Sequence, residues 1–457
     1  MKYLLAAFFS IISICVMHAQ DILEQQEEQV TDSVMSYEDS MRIVMMSWTP
    51  EERWLYGLRN RMDSVLQNHR TTTTTVYTGR GRRRRATRKT ITRNYHVGMT
   101  VYDLTADSTI FSYNDNDLYI PASTQKLFVS ITALSTVGSN HHFRTDVSYD
   151  GTVETDSIYH VDSIWHDSIN VEVKIDTIFR KYLKGNVYVS SGFDPTLDKN
   201  AIEYVACKVM ALDVDSIDGY IYAYEPQKRM VSGQWFWDKH PSRFFASSLY
   251  QALKDDGVAF SADKAYSSLS VPLDHKTYGL TSLYTPLPII LKRMMKNSDN
   301  FYAESMLLNL CDLRDVNNWT YNSCTQKVKE MVGKAGGRTS DYIIDDGSGL
   351  SHSNKTTPII ETQILRYAYH NKDIYELLYE SLPIAGVDGT LSSRMIGTPA
   401  YRNVRAKTGT VNGVQTLAGY VKASNGHFLA FSIMVNNNYD QAGGRSLQNQ
   451  LCAEMAK

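Results

Sequence analysis

From Tyr95 to Asp103 the chain alternates apolar and polar positions, YHVGMTVYD, and Thr109 to Tyr113 alternates again after a polar turn. A period of two predicts two paired strands. PASTQKLFVSITAL, from Pro121 onward, switches to the helical period, so the local order is strand, strand, helix. From about Phe143 to Val271 the segments FRTDVSYDG, GNVYVSSG and GYIYAYEP predict short strands and turns. Within that region Asp-Ser-Ile recurs at Asp156, Asp162 and Asp167, alternating Ile with polar neighbours as an extended hairpin does, and nothing in it points to chemistry. Helical periodicity returns from Thr285 to Cys311, where two apolar stretches flank the polar Lys296 to Asn300 and predict two helices with a short link. NVRAKTGTVNGVQTLAGYVKA and HFLAFSIMVNN predict successive antiparallel strands, and Arg445 to Ala456 a last helix. A sheet built from both chain ends implies one discontinuous domain, residues 95–142 and 272–457, interrupted by a β-rich insertion over 143–271.

Residues 20–94 stand apart. An acidic, Gln-rich leader precedes a helix that Thr49 caps, with Pro50, Glu51 and Glu52 in its first turn and Trp54, Leu55, Leu58, Met62, Val65 and Leu66 on one face, the face expected to pack on the main domain. Thr71 to Arg93 follows as a loop carrying Arg80, Arg82 to Arg85, Arg88, Lys89 and Arg93. Two readings of it stand, a solvated loop or weak association with anionic envelope polymers. The first residues, with Lys2, an apolar run from Leu4 to Met17 and Ala19, have the pattern of a secretory signal over 1–19. That run is short for a span of about 20 apolar residues. Cys15 is a possible lipid site, with the bulky Ile14 before it. The expected location is periplasmic, in the cell envelope.

Composition narrows the class. At 457 residues, 43% apolar and 21% charged, the chain has the length for two or three domains and the make-up of a globular protein. Lys plus Arg number 47 against 49 Asp plus Glu, a balance that argues against a protein built chiefly to bind nucleic acid. Beyond the signal lie Cys207, Cys311, Cys324 and Cys452, with no Cys-x-x-Cys and no zinc spacing, so no metal or cofactor is expected and any disulfide pairing stays open.

Three short clusters carry the candidate chemistry: Ser123 with Lys126, Ser298 with Asn300, and Lys407-Thr408-Gly409. Each is weak alone. Ser261 with Lys264 repeats the first, and Ser112-Tyr113-Asn114 the form of the second. Only in the order Ser123, Ser298, Lys407 do they fall on a helix start, an inter-helix link and a strand. That ordered set belongs to class A β-lactamases and penicillin-binding proteins. A serine hydroxyl needs a base, and a lysine one helical turn away serves if burial and a second cation, here Lys407, keep it neutral. Ser298 relays a proton to the leaving amine and Asn300 orients the lysine or the substrate amide. Backbone N–H groups of Ser123 and Thr410 form an oxyanion hole, and Thr408 and Thr410 receive a substrate carboxylate. The bland alternative makes Ser123 a helix cap, Ser298 to Asn300 a turn, and Lys407 to Gly409 a strand end.

Beyond these clusters the chain carries VYDL, SGFDPTL (Ser191 to Leu197), WFWDKHPSRFFASSL (Trp235 to Leu249), KNSDNFYAE, DGSGLS (Asp346 to Ser351) and GVDGTLSSRM (Gly386 to Met395). From about Tyr95 onward it resembles the penicillin-binding protein 4 type, class C low-molecular-mass D-alanyl-D-alanine carboxypeptidase/endopeptidases. The resemblance implies an α+β fold, an α/β/α sandwich of the serine β-lactamase/DD-peptidase-like transpeptidase type with an inserted region after the nucleophile helix. It implies peptidoglycan stem peptides as substrate, β-lactams as inhibitors and no metal. In relatives an aspartate, matched by Asp194, and an arginine after DGSGLS bind the substrate's diamino-acid side chain. His352 stands at the second position here. The rival readings are a serine β-lactamase, which needs a dedicated deacylating Glu after the middle cluster, and a non-enzymatic peptidoglycan-binding envelope protein. Carboxypeptidase against endopeptidase preference and oligomeric state are not legible in the sequence.

Overall fold

The computed structural model describes residues 45–78, 85–92, 95–165, 169, 171–224, 241–269, 275–311 and 320–457. The expected signal segment, Cys15 and most of the leader lie outside them. Residues 1–56 and 57–457 form two units. In the first, Thr49 and Glu52 make a reciprocal cap, Glu52 N donating to Thr49 Oγ1 (3.2 Å) and Thr49 N to Glu52 Oε2 (2.8 Å), which starts helix α1 (Pro50–Arg70). In the second unit Leu58, Met62 and Leu66 are buried, and Arg59 Nε donates to the Ile110 carbonyl (2.8 Å).

The Arg-rich stretch corrects its expectation as a loop. Thr71–Thr78 (β1) and Arg85–Thr92 (β2) pair antiparallel from Thr71↔Thr92 to Thr78↔Arg85. The run of β-branched Thr is the reason, since such side chains favour extended backbone even where charge suggests solvation.

The central sheet is antiparallel and joins both chain ends. Strands β3 (His96–Asp103) and β4 (Ser108–Tyr113) pair with three late strands defined below. Helix α2 (Gln125–Thr136) follows the nucleophile turn, and Leu127, Phe128 and Ile131 sink into the main core. The insertion then holds β5 (His142–Tyr149), β6 (Thr152–Trp165), β7 (Val171–Lys184), β8 (Val187–Ser190), α3 (Lys199–Met210), β9 (Ser216–Asp218), β10 (Ile221–Tyr224), α4 (Pro241–Asp255), β11 (Ala259–Phe260) and β12 (Tyr266–Leu269). Its two sheets run β12-β10-β8-β5-β13 and β11-β9-β7-β6, where β13 is Tyr278–Pro286.

Two differences from the sequence reading emerge here. The insertion is α/β rather than purely β-rich, because Ile202, Val205, Ala206 and Val209 on α3 and Phe245, Leu249 and Leu253 on α4 form helical stripes over parallel strands. Its sheet also reaches past residue 271, since β13 pairs with β5 from Tyr278↔Tyr149 to Pro286↔His142.

After β13 come α5 (Leu287–Asn297), α6 (Asn300–Leu308), α7 (Tyr321–Lys334), α8 (Pro358–Tyr369) and α9 (Lys372–Ser381). The sheet is completed by β14 (Arg405–Val411), β15 (Val414–Lys422) and β16 (Phe428–Asn436), in the order β14-β15-β16-β3-β4, before α10 (Gln441–Met455). Every residue of β15 from Val414 to Val421 is buried, so both of its faces are covered. On one face Ala418, Tyr420 and Ala430 join the core of α2, α5, α6 and α8. Among the described residues no helix is long and apolar enough to cross a membrane, and no His/Cys/Asp/Glu group could hold a metal. The four described cysteines are free thiols, Cys311 lying against Cys324.

Candidate active site

Ser123 sits on a strained turn. Ala122 has φ of +48°, unusual for a residue with a Cβ, and opens a 3-10 turn, Ala122–Thr124, that runs directly into α2. Thr124 Oγ1 locks the turn by donating to the Pro121 carbonyl (2.8 Å). Ser123 is therefore not the cap of α2. Its half-buried hydroxyl instead meets Lys126, one turn along the same helix face, with Nζ and Oγ 2.9 Å apart.

Lys126 is fully buried, and its other two neighbours are both acceptors: Asn300 Oδ1 at 2.7 Å and the Ser348 carbonyl at 2.5 Å. A neutral amine has two N–H bonds and one lone pair. With the N–H bonds spent on Asn300 and Ser348, the lone pair is left for the Ser123 proton. Burial pushes the Lys126 pKa down to about 7, against the pull of Glu304, Asp346 and Asp299. Lys407 is also fully buried, and its pKa is pushed well below the usual range, first by burial and then by the charge of Lys126. Its Nζ donates to Ser298 Oγ (2.8 Å) and to the Thr408 carbonyl (2.7 Å).

Each supporting element follows from its local sequence. Ser298 ends α5 in the left-handed region at φ +57°, Asp299 caps α6 by accepting from Phe301 N (3.1 Å) and Tyr302 N (3.4 Å), and Asn300 opens that helix. On the edge strand β14, Gly409 permits close approach: a Cβ there would stand 2.0 Å from Thr416 Oγ1 and 3.0 Å from Ser123 N. Ala406 N donates off the sheet to the Pro383 carbonyl (3.0 Å). By the two-residue period of a strand, the Thr410 N–H faces the same open edge.

Ser298, Thr408 and Thr410 line, with Ser123, a cavity of about 400 Å³. Its remaining lining was not singled out from the sequence as site residues: Thr390, Ser393, Arg394 and Arg445. Thr390, Ser393 and Arg394 lie in the GVDGTLSSRM segment, which Lys296 anchors through Asp388 Oδ2 (2.6 Å). Thr390 Oγ1 accepts from Thr408 Oγ1 (2.7 Å). Arg394 binds the last helix through Asn449 Oδ1 (2.9 Å), Gln448 Oε1 (3.0 Å) and the Arg445 carbonyl (3.4 Å). The Arg445 side chain is exposed, and no carboxylate lines the cavity.

Glu304 is a second addition, and a buried one. Its Oε1 accepts from Ser348 N (2.8 Å) and its Oε2 from Tyr321 Oη (3.1 Å), while burial pushes its pKa up to about 7. Asp346 shapes the same loop by accepting from Gly349 N (2.5 Å) and Ser351 N (2.6 Å). The Ser348 peptide is thus held by its N–H at Glu304 and presents its carbonyl to Lys126.

Asp194 and His352 do not line the cavity. Asp194 is fully buried, its Oδ1 accepting from Thr196 N (2.9 Å) and Oγ1 (2.7 Å), its Oδ2 from Thr285 Oγ1 (2.6 Å). Burial is the largest influence on its carboxyl and raises its pKa. It ties its loop to β13. His352 is exposed on the loop after Ser351. Ser261 and Lys264, the competing pair, lie in a bend and turn between β11 and β12, off any helix.

A nucleophile on a helix mouth, a buried lysine pair and a sheet edge with an open strand define a serine hydrolase of the β-lactamase-like fold. The profile of the D-Ala-D-Ala carboxypeptidase 3 (S13) family matches residues 86–159 and 225–457, and the chain belongs to that family. It is 29% identical over 342 residues to the D-alanyl-D-alanine carboxypeptidase DacB of Haemophilus influenzae, covering 73% of this chain and 64% of that protein. It is 24% identical to the D-alanyl-D-alanine carboxypeptidase of an Actinomadura strain, covering 79% of this chain and 81% of the relative. Among solved structures, penicillin binding protein 4 from Haemophilus influenzae superposes with a TM-score of 0.64 at 22% identity, over 79% of this chain and 95% of the other.

Proposed function

We propose that this chain is a serine DD-peptidase acting on the D-Ala-D-Ala ends or D-amino-acid cross-links of peptidoglycan stem peptides through an acyl-enzyme on Ser123. The single observation that carries the reading is the Lys126 amine, 2.9 Å from Ser123 Oγ with both other neighbours acceptors. Neutral Lys126 takes the hydroxyl proton as Oγ bonds to the carbonyl carbon of the penultimate D-alanine. The oxyanion rests on the N–H groups of Ser123 and Thr410, a contribution of roughly 10²–10³ in rate per donor. Ser298, held by Lys407, gives its hydroxyl proton to the leaving nitrogen as the C–N bond breaks and takes in its place the proton that Lys126 holds, so Lys126 is neutral again in the acyl-enzyme. Water then attacks the ester carbon as neutral Lys126 takes its proton, the acyl C–Oγ bond breaks, and Lys126 returns that proton to Ser123 Oγ, regenerating the free hydroxyl and the neutral amine. Penicillin acylates the same oxygen. The substrate lies outside the inner membrane, which accords with the Leu4 to Met17 run as an export signal.

The β-lactamase reading is disfavoured by Glu304, the buried carboxylate that follows the middle cluster. Both of its oxygens are occupied and it is 3% exposed, which leaves no approach for a hydrolytic water. The binding-protein reading has no use for two hydrogen-bonded sets, Ser123 and Asn300 on Lys126 and Ser298 on Lys407, with Ser123 and Ser298 lining one cavity. Release of D-alanine from a pentapeptide ending in D-Ala-D-Ala tests the proposal. The wild-type enzyme releases it and Ser123→Ala does not; release that survives Ser123→Ala rejects the mechanism.

The cationic rim gives a second expected result. Arg445 faces a cavity without carboxylates and supplies charge to the substrate carboxylate held by Thr408 and Thr410. Arg445→Gln is expected to raise KM for a peptide with a free terminal carboxylate by about tenfold, while a C-terminally amidated peptide is unaffected. An equal effect on both peptides would remove Arg445 from carboxylate recognition.

A further inference from the structure

The β6–β7 hairpin has a property that the peptidase reading does not use. The two strands pair rung by rung from Thr152↔Lys184 to Trp165↔Val171, while β9 pairs only with Tyr182 to Lys184 of β7. Beyond that base the ribbon has no strand beside it on either edge among the described residues. Opposed residues of an antiparallel pair share a face, and faces alternate along the strand. One face over the outer rungs therefore reads Ser157/Phe179, Tyr159/Thr177, Val161/Ile175, Ser163/Val173 and Trp165/Val171. It contains no charge. The opposite face reads Asp156/Arg180, Ile158/Ile178, His160/Asp176, Asp162/Lys174 and Ile164/Glu172.

The uncharged face is open to solvent. Phe179 is 70% exposed, Trp165 68%, Tyr159 65%, Ile175 61%, Val161 55% and Val173 51%. Aromatic and β-branched side chains at such exposure offer roughly 700 Å² of apolar surface, above the largest patch of a typical monomer. We propose that this face of the β6–β7 ribbon is a self-association surface that packs against the same face of a second copy of the chain. Area and charge favour that occupant. Two such faces bury about 1,400 Å² together, inside the range of roughly 1,200–2,000 Å² for stable interfaces. An uncharged ribbon face carries no like-charge repulsion against itself under a two-fold axis, with the central Val161/Ile175 rung packing on its own counterpart. The charged face points away from the partner, and its signs alternate across the rungs, Asp156 against Arg180 and Asp162 against Lys174. It thus forms no basic patch to hold the ribbon against an anionic lipid surface.

Sedimentation velocity of the full chain across the nanomolar-to-micromolar range tests this. The wild-type protein is expected to dimerise. Val161→Glu and Val161→Lys each place like charges opposite one another, and each is expected to weaken the dimer about a hundredfold. An equimolar mixture of the two regains it. Phe179→Ser removes apolar area without adding charge and weakens the dimer as well. All three variants are expected to retain the wild-type rate of acylation by penicillin, which shows that the peptidase domain is folded. A wild-type protein that stays monomeric throughout overturns the proposal, as does a dimer untouched by the Val161 and Phe179 variants. Wild-type monomer that co-sediments with phosphatidylcholine vesicles also overturns it, in favour of a lipid surface.

Discussion

Lys126→Met is expected to slow acylation by penicillin by about a thousandfold, within the range a general base contributes. The substitution keeps the length and apolar bulk of the side chain and removes only the amine that faces Ser123 Oγ, Asn300 Oδ1 and the Ser348 carbonyl. The pH profile separates this cause from a packing defect. In the wild-type enzyme the base is the unprotonated amine, so the acylation rate rises with pH through about 7, where burial has pushed the Lys126 pKa, and levels off above it. In Lys126→Met the residual rate has no such step. A wild-type rate that stays flat from acid to alkaline pH would contradict the assignment of Lys126 as base.

Lys407→Met is expected to have the next largest effect, a loss of about a hundredfold in kcat/KM. Ser298 Oγ loses the donor 2.8 Å away, and with it the group that holds its hydroxyl in place. The pH profile separates its role from that of Lys126. Burial, not Lys407, pushes the Lys126 pKa down to about 7, and it is Lys407 whose charge is disfavoured by burial and by Lys126. Removing Lys407 is therefore expected to leave the midpoint of the acylation profile near 7 while the rate drops. A midpoint that moves to higher pH would show that a charged Lys407 is what keeps Lys126 neutral.

The legible part of the site was the part encoded by neighbours in sequence. Lys126 follows Ser123 by one helical turn, Ser298 and Asn300 flank a helix corner with Asp299 as cap, and Gly409 marks close backbone approach. Such relations survive in a linear reading because the local geometry creates them. Residues brought in from a distance were not legible. Ser348 contributes a carbonyl, which any residue carries, and Arg445 arrives on the last helix because Arg394 holds that helix in place. Asp194 shows the same limit from the other side. Its motif places an acid in a loop, but only the fold reveals that Thr196 and Thr285 occupy both oxygens.

The fold divides in the same way. Alternation located β3, β4 and the late strands, and the helical period located α2, α5 and α6. The strand signals of the insertion, rich in β-branched and aromatic residues, mask its helices, although Ile202, Val205, Ala206 and Val209 keep a helical stripe. In β1 and β2 the charge of the Arg-rich stretch predicts a solvated loop, whereas β-propensity prevails in the backbone. The Asp-Ser-Ile copies at Asp156 and Asp162 lie on one strand of an extended hairpin, as their alternation predicts, while Asp167 and Ser168 lie outside the described residues; which face of the hairpin is apolar depends on register, since a slip of one residue exchanges the faces.

Intact-protein mass spectrometry after incubation with benzylpenicillin tests the central claim most directly. The account predicts one covalent adduct per chain with the full mass of the antibiotic, located by peptide mapping at Ser123 and absent from Ser123→Ala. An unmodified wild-type protein, or an adduct that persists in Ser123→Ala, would contradict it.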